Sequence, residues 1–221
     1  MKNIVILISG GGSNMAAIVR CAQREDWRKT HGAQVAAVIS NRADAGGLAI
    51  AREHQIATEI VDHKRFPSRE AFDAELAAVI DRHQPALVVL AGFMRILSHD
   101  FVNHYQGRLI NIHPSLLPAF PGLDTHGRAL AEGVKIHGCT VHFVTPTVDH
   151  GPIIAQAAVP VLPVDTADTL GERVLAQEHR IYPQAVRWFA EDRLEISPDG
   201  IVRLKDQTAN EAILHSPWEP Q

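Results

Sequence analysis

Cysteine is scarce in this chain: Cys21 and Cys139 are the only two in 221 residues. They form neither a CxxC pair nor a disulfide framework, so a reducing cytoplasm is the expected compartment. Runs of Lys and Arg are missing, and no stretch interleaves basic with aromatic residues. With 21 basic against 25 acidic side chains the net charge is −4, which gives no electrostatic case for nucleic acid. Long hydrophobic runs are absent too. The first, Ile4 to Ile8, is far too short to span a membrane and lacks a signal-peptide cleavage pattern. The 13 histidines include no HExxH, no Cys–His cluster and no pair at i,i+4 spacing, so no metal is expected. What remains has 46% hydrophobic residues and a mean hydropathy of −0.04, suited to a soluble globular protein with one large core.

The chain opens on a continuously apolar stretch, Asn3 to Ser9, the pattern of a parallel strand buried on both faces. Ser9-Gly10-Gly11-Gly12-Ser13-Asn14 follows, then Met15, Ile18, Val19 and Ala22 at helical spacing. Strand, glycine loop and helix are the layout of an anion cradle. Glycines let backbone N–H groups approach phosphate oxygens, and the helix N-terminus adds a favourable dipole. No Gly-Lys-Ser/Thr follows, and Met15 stands where the third glycine of a dinucleotide fingerprint belongs. A tight structural turn is the plain alternative, but three glycines flanked by serines exceed what a turn requires.

Gln34 to Ser40 reads as a second strand, Gly46 to His54 as a helix and Thr58 to Val61 as a short third strand. Ser68 caps a helix to about His83. Arg69, in its first turn, could meet an anion or lie in solvent. After Pro85, Ala86 to Ala91 is an apolar strand. The loop Gly92-Phe93-Met94-Arg95-Ile96-Leu97 is oddly apolar unless something covers it. It is either a packed loop or the wall of a pocket for a flat heteroaromatic ligand. Ser98 caps a short helix to His104.

The rest of the chain is organised around Asn111-Ile112-His113-Pro114-Ser115-Leu116-Leu117-Pro118. Arg108-Leu109-Ile110 leads in as a buried strand, so Asn111 and His113 point to one face. Pro114 ends regular pairing. An amide donor then sits beside a titratable ring at a strand's carboxyl end, where open α/β sheets bind ligands. The bland reading is a buried Asn and His satisfied by backbone groups. The Leu117–Pro118 bond is expected to be cis.

Downstream, Lys135 to Val144 and Ile153 to Val161 are strands joined by a breaker-rich loop, which predicts antiparallel pairing and a mixed sheet. Asp149 in that loop is either a turn former before glycine or a carboxylate that pairs with His113, raises the ring's pKa and orients it. Asp165-Thr166 starts a long helix to about Asp192 that Pro183 should kink or split. Gln177-Glu178-His179 lies just before that break, as a solvated face or a ligand contact. Leu194 to Ile196 and Ile201 to Leu204 form a hairpin. The fold expected is α/β: a single doubly wound, mostly parallel mixed sheet with helices on both faces and a small C-terminal hairpin. Residues 1–206 make one domain, and the polar tail 207–221 is expected to be poorly ordered.

The glycine loop, the Ala91–Ser98 stretch, Asn111–Pro118 and Val148-Asp149-His150-Gly151-Pro152 occur in this order. Together they closely resemble the folate-dependent formyltransferases, over about Asn3 to Trp188. The Asn-x-His set with a later Asp is shared across that family, while the glycine loop and lack of an extra domain match its phosphoribosylglycinamide branch. The resemblance implies transfer of formyl from 10-formyltetrahydrofolate to the amine of glycinamide ribonucleotide in purine synthesis, through a tetrahedral oxyanion and without a metal. It implies Asn111, His113 and Asp149 as the catalytic trio, and Gly12, Ser13, Asn14 and Glu178 as ribonucleotide contacts. Arg69, Met94, Arg95, Ile96, Leu97 and Asn111 become the folate contacts. Residues 1–100 are then the phosphate-binding half and 101–206 the catalytic and folate half. Both partners are small molecules, with no nucleic acid or membrane, in a monomer or homodimer. The chain departs from the family pattern at His150, where a small residue is expected, and at Asp124, where histidine is common.

Three other readings compete. A methionyl-tRNA formyltransferase needs an added basic C-terminal domain. A formyltetrahydrofolate hydrolase carries an N-terminal regulatory domain, for which a strand starting at Asn3 leaves no room. A non-catalytic nucleotide-binding module would keep the cradle without needing the trio.

Overall fold

The computed structural model describes residues 1–206, so the tail expected over 207–221 lies outside the described residues. Strands β1 (Lys2–Ile8), β2 (Ala33–Ser40), β3 (Ala57–Ile60), β4 (Pro85–Leu90), β5 (Leu109–His113), β6 (Ile136–Phe143) and β7 (Ile153–Pro160) form one sheet. Its order is β3-β2-β1-β4-β5-β6-β7. The first five strands in that order are mutually parallel. β6 runs against β5, and β7 against β6. The order reverses between β1 and β4, which places a topological switch point at their carboxyl ends.

Among the described residues, seven α-helices complete the layers: α1 (Ser13–Arg24), α2 (Trp27–Thr30), α3 (Gly47–Glu53), α4 (Arg69–Asp81), α5 (His99–His104), α6 (Thr125–Ala131) and α7 (Ala167–Ala190). Ile4, Ile6 and Ile8 pack with residues of α1, α3 and α7, whereas Val5 and Leu7 pack with α4 and α5. That is why β1 reads as apolar throughout: successive side chains serve opposite, equally covered faces. The small hairpin pairs β8 (Leu194–Ile196) with β9 (Val202–Leu204).

The Ser68 and Ser98 hydroxyls accept from Ala71 and Phe101 N–H, and Thr166 opens α7 with a capping box. The Leu117–Pro118 bond is cis. Of the two outcomes expected at Pro183, the split does not occur: α7 is helical from Ala167 to Ala190. Pro183 has no N–H for the His179 carbonyl. Burial of Tyr182, Pro183, Ala185 and Val186 holds the helix through that gap. The short α2 was not foreseen. It is anchored by buried Trp27, whose Nε1 donates to Glu25 at 2.9 Å.

Candidate active site

Asn111 and His113 lie on β5, opposite His142 and Thr140 of β6. The Asn111 amide nitrogen is 3.4 Å from His142 Nε2. His142 Nδ1 is 2.9 Å from the Phe143 carbonyl, which can only accept. Nδ1 therefore carries the proton and Nε2 is left to accept from Asn111. Burial pushes the His142 pKa down, so this neutral ring orients the amide, whose other N–H stays available.

His113 is buried. Its Nδ1 lies 3.4 Å from Asp149 Oδ2, and its Nε2 lies 3.0 Å from the Phe120 carbonyl. The ring thus lies between a carboxylate oxygen and a backbone carbonyl. Asp149 reaches the ring from a left-handed backbone position (φ 53°). Its Oδ2 also accepts from Gly122 N–H at 2.8 Å, tying the 118–124 loop to the 144–151 loop.

The turn after His113 is laced to the antiparallel strands. Thr140 Oγ1 donates to the Ser115 carbonyl at 2.7 Å and accepts from Leu117 N–H at 3.0 Å. Gln156 Nε2 reaches the Leu117 carbonyl at 2.8 Å and Thr140 Oγ1 at 3.0 Å. On the opposite flank, Tyr182 of α7 is fully buried. Its hydroxyl lies 2.8 Å from the Leu90 carbonyl and 3.2 Å from that of Ile110, joining the last residue of β4 to β5 beside it.

Among the cradle residues, Gly12 is left-handed (φ 72°), and a Cβ there would stand 2.9 Å from Gly47 Cα. Its glycine is required by the approach of α1 to α3. Gly10 and Gly11 face open space instead. The first N–H groups of α1 have no intrahelical acceptor, and no side-chain cap or acidic residue covers them. Asn14 Nδ2 donates to Glu178 Oε2 at 2.7 Å, while Asn14 Oδ1 is buried without a partner. Burial raises the Glu178 pKa, with Asn14 and the nearby His113 charge opposing it. Glu178, a candidate from the sequence only by resemblance, is therefore part of the same buried network.

The Met94–Leu97 residues divide. Met94 and Ile96 side chains are 71% and 63% exposed, an open apolar surface at the end of β4. The Met94 N–H is already used by Ser9 Oγ at 2.9 Å. The Arg95 guanidinium lies 5.0 Å over the Phe72 ring, and Leu97 packs into the core. Arg69 sits on the surface, its Nε 3.3 Å from Glu70. Asp124 is left-handed at the start of α6, its carboxylate over Gly127, and His150 is exposed. Among the described residues no group of three or more His, Cys, Asp or Glu is placed to hold a metal ion, and no helix is long and apolar enough to cross a membrane.

Sequence reading missed Ser9, Thr140, Gln156 and Tyr182 as supports. Ser9 Oγ donates to Asn41 at 2.6 Å while accepting from Met94, joining the ends of three strands' loops. The only signal for these was a polar atom inside an otherwise apolar strand or helix face.

The formyl transferase family model matches residues 2–186. Phosphoribosylglycinamide formyltransferase from Escherichia coli is 54% identical over 194 residues, covering 88% of this chain and 90% of that protein. The chicken trifunctional purine biosynthetic protein adenosine-3 is 43% identical over 91% of this chain, which spans only 20% of that larger protein. A solved structure of glycinamide ribonucleotide transformylase 1 from Symbiobacterium toebii superposes with a TM-score of 0.87 at 51% identity, covering 93% and 95% of the two chains. The chain belongs to the formyl transferase family, in its phosphoribosylglycinamide formyltransferase branch.

Proposed function

We propose that the protein transfers the formyl group of 10-formyltetrahydrofolate to the amine of glycinamide ribonucleotide, in purine synthesis in the cytoplasm. The observation that carries this reading is the convergence of Asn111, His113 and Asp149 at the end of β5. The substrate amine attacks the formyl carbon and a C–N bond forms. The carbonyl oxygen becomes an oxyanion. The bond to the folate nitrogen then breaks, and the proton shed by the amine ends on that leaving nitrogen.

Developing charge on oxygen calls for donors already in place. The free N–H of Asn111 is one. A His113 Nε2–H is the other, and the Phe120 carbonyl at 3.0 Å occupies the place of an accepting oxygen. For Nε2 to meet the substrate, the ring must exchange that carbonyl for the formyl oxygen. Asp149, 3.4 Å from Nδ1, fixes the ring's orientation. His113 then passes a proton towards the departing nitrogen.

The phosphate is read as lying against Gly12, Ser13 and Asn14, where the uncapped α1 N-terminus offers donors and dipole. Glu178 takes the sugar or amine end. The exposed Met94 and Ile96 side chains fit a flat pteridine, with Arg69, Arg95 and Leu97 shaping or flanking that half. The division into a phosphate-binding half, 1–100, and a catalytic and folate half, 101–206, follows the same reading. Formyl transfer assayed with glycinamide ribonucleotide, tRNA and water as rival acceptors tests it. Product on the ribonucleotide alone is expected; faster transfer to tRNA or water would overturn the assignment.

A further inference from the structure

A second concave site lies outside the formyl-transfer machinery, between α1 and α7. It is a cleft of ≈ 380 Å³, within the range of small-molecule sites. Arg20 and Arg24 of α1 face Arg180 and Arg187 of α7 across it, with His179 at its wall. Glu25 is the one acidic residue in the lining, and it is already committed. It pairs with Arg24 at 3.2 Å and Arg187 at 3.3 Å, and it accepts from Trp27 at 2.9 Å. These contacts hold its carboxyl down at about 2, so it stays ionised. Among the described residues, Arg20 and Arg180 have no carboxylate within ion-pair distance. His179 Nε2 and Arg187 Nε are buried without hydrogen-bond partners. Arg24 shares Glu25 with Arg187, and Arg187 is also paired with Glu191 at 3.8 Å, so Arg20 and Arg180 are the two guanidiniums of the cleft left uncompensated among the described residues.

We infer that this cleft binds a small phosphorylated ligand carrying two or three negative charges. Guanidiniums match phosphate oxygens in paired, fork-like hydrogen bonds. Two guanidiniums without carboxylate partners exceed what a single carboxylate would balance. The buried His179 Nε2 has no hydrogen-bond partner and can donate or accept according to the ring's tautomer, and Ala17 and Pro183 give the ligand's carbon skeleton an apolar floor. The cleft is walled by two helices and open to solvent, which suits a soluble molecule. The same two helices are bridged by Asn14 and Glu178, and His179 follows Glu178 directly. A bound phosphate that draws α1 and α7 together therefore acts on the substrate end of the main site.

Inorganic pyrophosphate, titrated calorimetrically into the full chain and into Arg20→Gln/Arg180→Gln, tests this. Thermal melting of both proteins checks folding independently of the transferase reading. The wild type is expected to bind one more equivalent than the variant, or to bind that equivalent at least about tenfold more tightly, a loss of one charge-assisted contact or more. Any pyrophosphate on the α1 N-terminus contributes equally to both isotherms. Superimposable isotherms, or no binding to either protein, would overturn the proposal.

Discussion

Asn14, at the first turn of α1, donates its amide to Glu178 of α7 at 2.7 Å, and this contact closes the site from the helical side. Glu178 is 7% exposed, and burial raises its pKa. A carboxyl whose folded pKa is raised contributes stability below its unfolded value, near about 4.3, and loses that contribution as pH rises through the folded value. At neutral pH an ionised Glu178 thus costs stability. Glu178→Gln is predicted to raise the melting temperature at pH 7 by about 2–4 °C, equivalent to about 1 kcal/mol, while lowering kcat/KM for the ribonucleotide. An unchanged or lower melting temperature would mean the carboxylate is better solvated than the buried Asn14 contact implies.

Gly11 and Gly12 are predicted to separate ligand approach from folding. Gly11→Ala places a methyl in open space, so stability should hold while the ribonucleotide KM rises. Gly12→Ala combines a left-handed φ with a Cβ 2.9 Å from Gly47, and should cost about 1–3 kcal/mol. Denaturant unfolding of the two variants, with KM measured alongside, distinguishes the roles.

Thr140→Val keeps the side chain's shape but removes contacts to Ser115, Leu117 and Gln156. The buried donor and acceptor left behind predict a loss of about 1–3 kcal/mol. Because that turn carries His113, kcat should fall while KM changes little. Steady-state kinetics and urea unfolding check both.

His137 is 1% exposed, and burial followed by the nearby His126 charge pushes its pKa down to about 4. The unfolded chain binds a proton on this ring below about pH 6.5 that the folded chain refuses. Its contribution is therefore full above about pH 6.5 and is lost as pH falls towards about 4, by at most about 3 kcal/mol. Melting of wild type and His137→Gln at both ends of that window should show a smaller acid-induced drop in the variant.

The core strands were legible because burial on both faces leaves unbroken apolar runs, as in Ile4 to Ile8, and caps such as Ser68 and Thr166 signal locally. Asn111 and His113 were legible because strand periodicity alone puts them on one face. Their tie to Asp149 was an open choice in the sequence, since nothing local distinguishes a turn-forming Asp from one that folds back. Tyr182 and Thr140 escaped notice because their partners are backbone carbonyls and amides from distant strands, which leave no trace in side-chain pattern. α7 continues where a split was one of two expectations, because Pro183 breaks an isolated helix whereas here its neighbours' burial decides the outcome.

Single-turnover formyl transfer in a double-mutant cycle of His113→Asn and Asp149→Asn tests the central claim most directly. If the carboxylate acts through the ring 3.4 Å away, each variant loses about 10²–10³ in rate, and the double variant loses no more than the worse single. Losses that multiply, or a fully active Asp149→Asn, would contradict it.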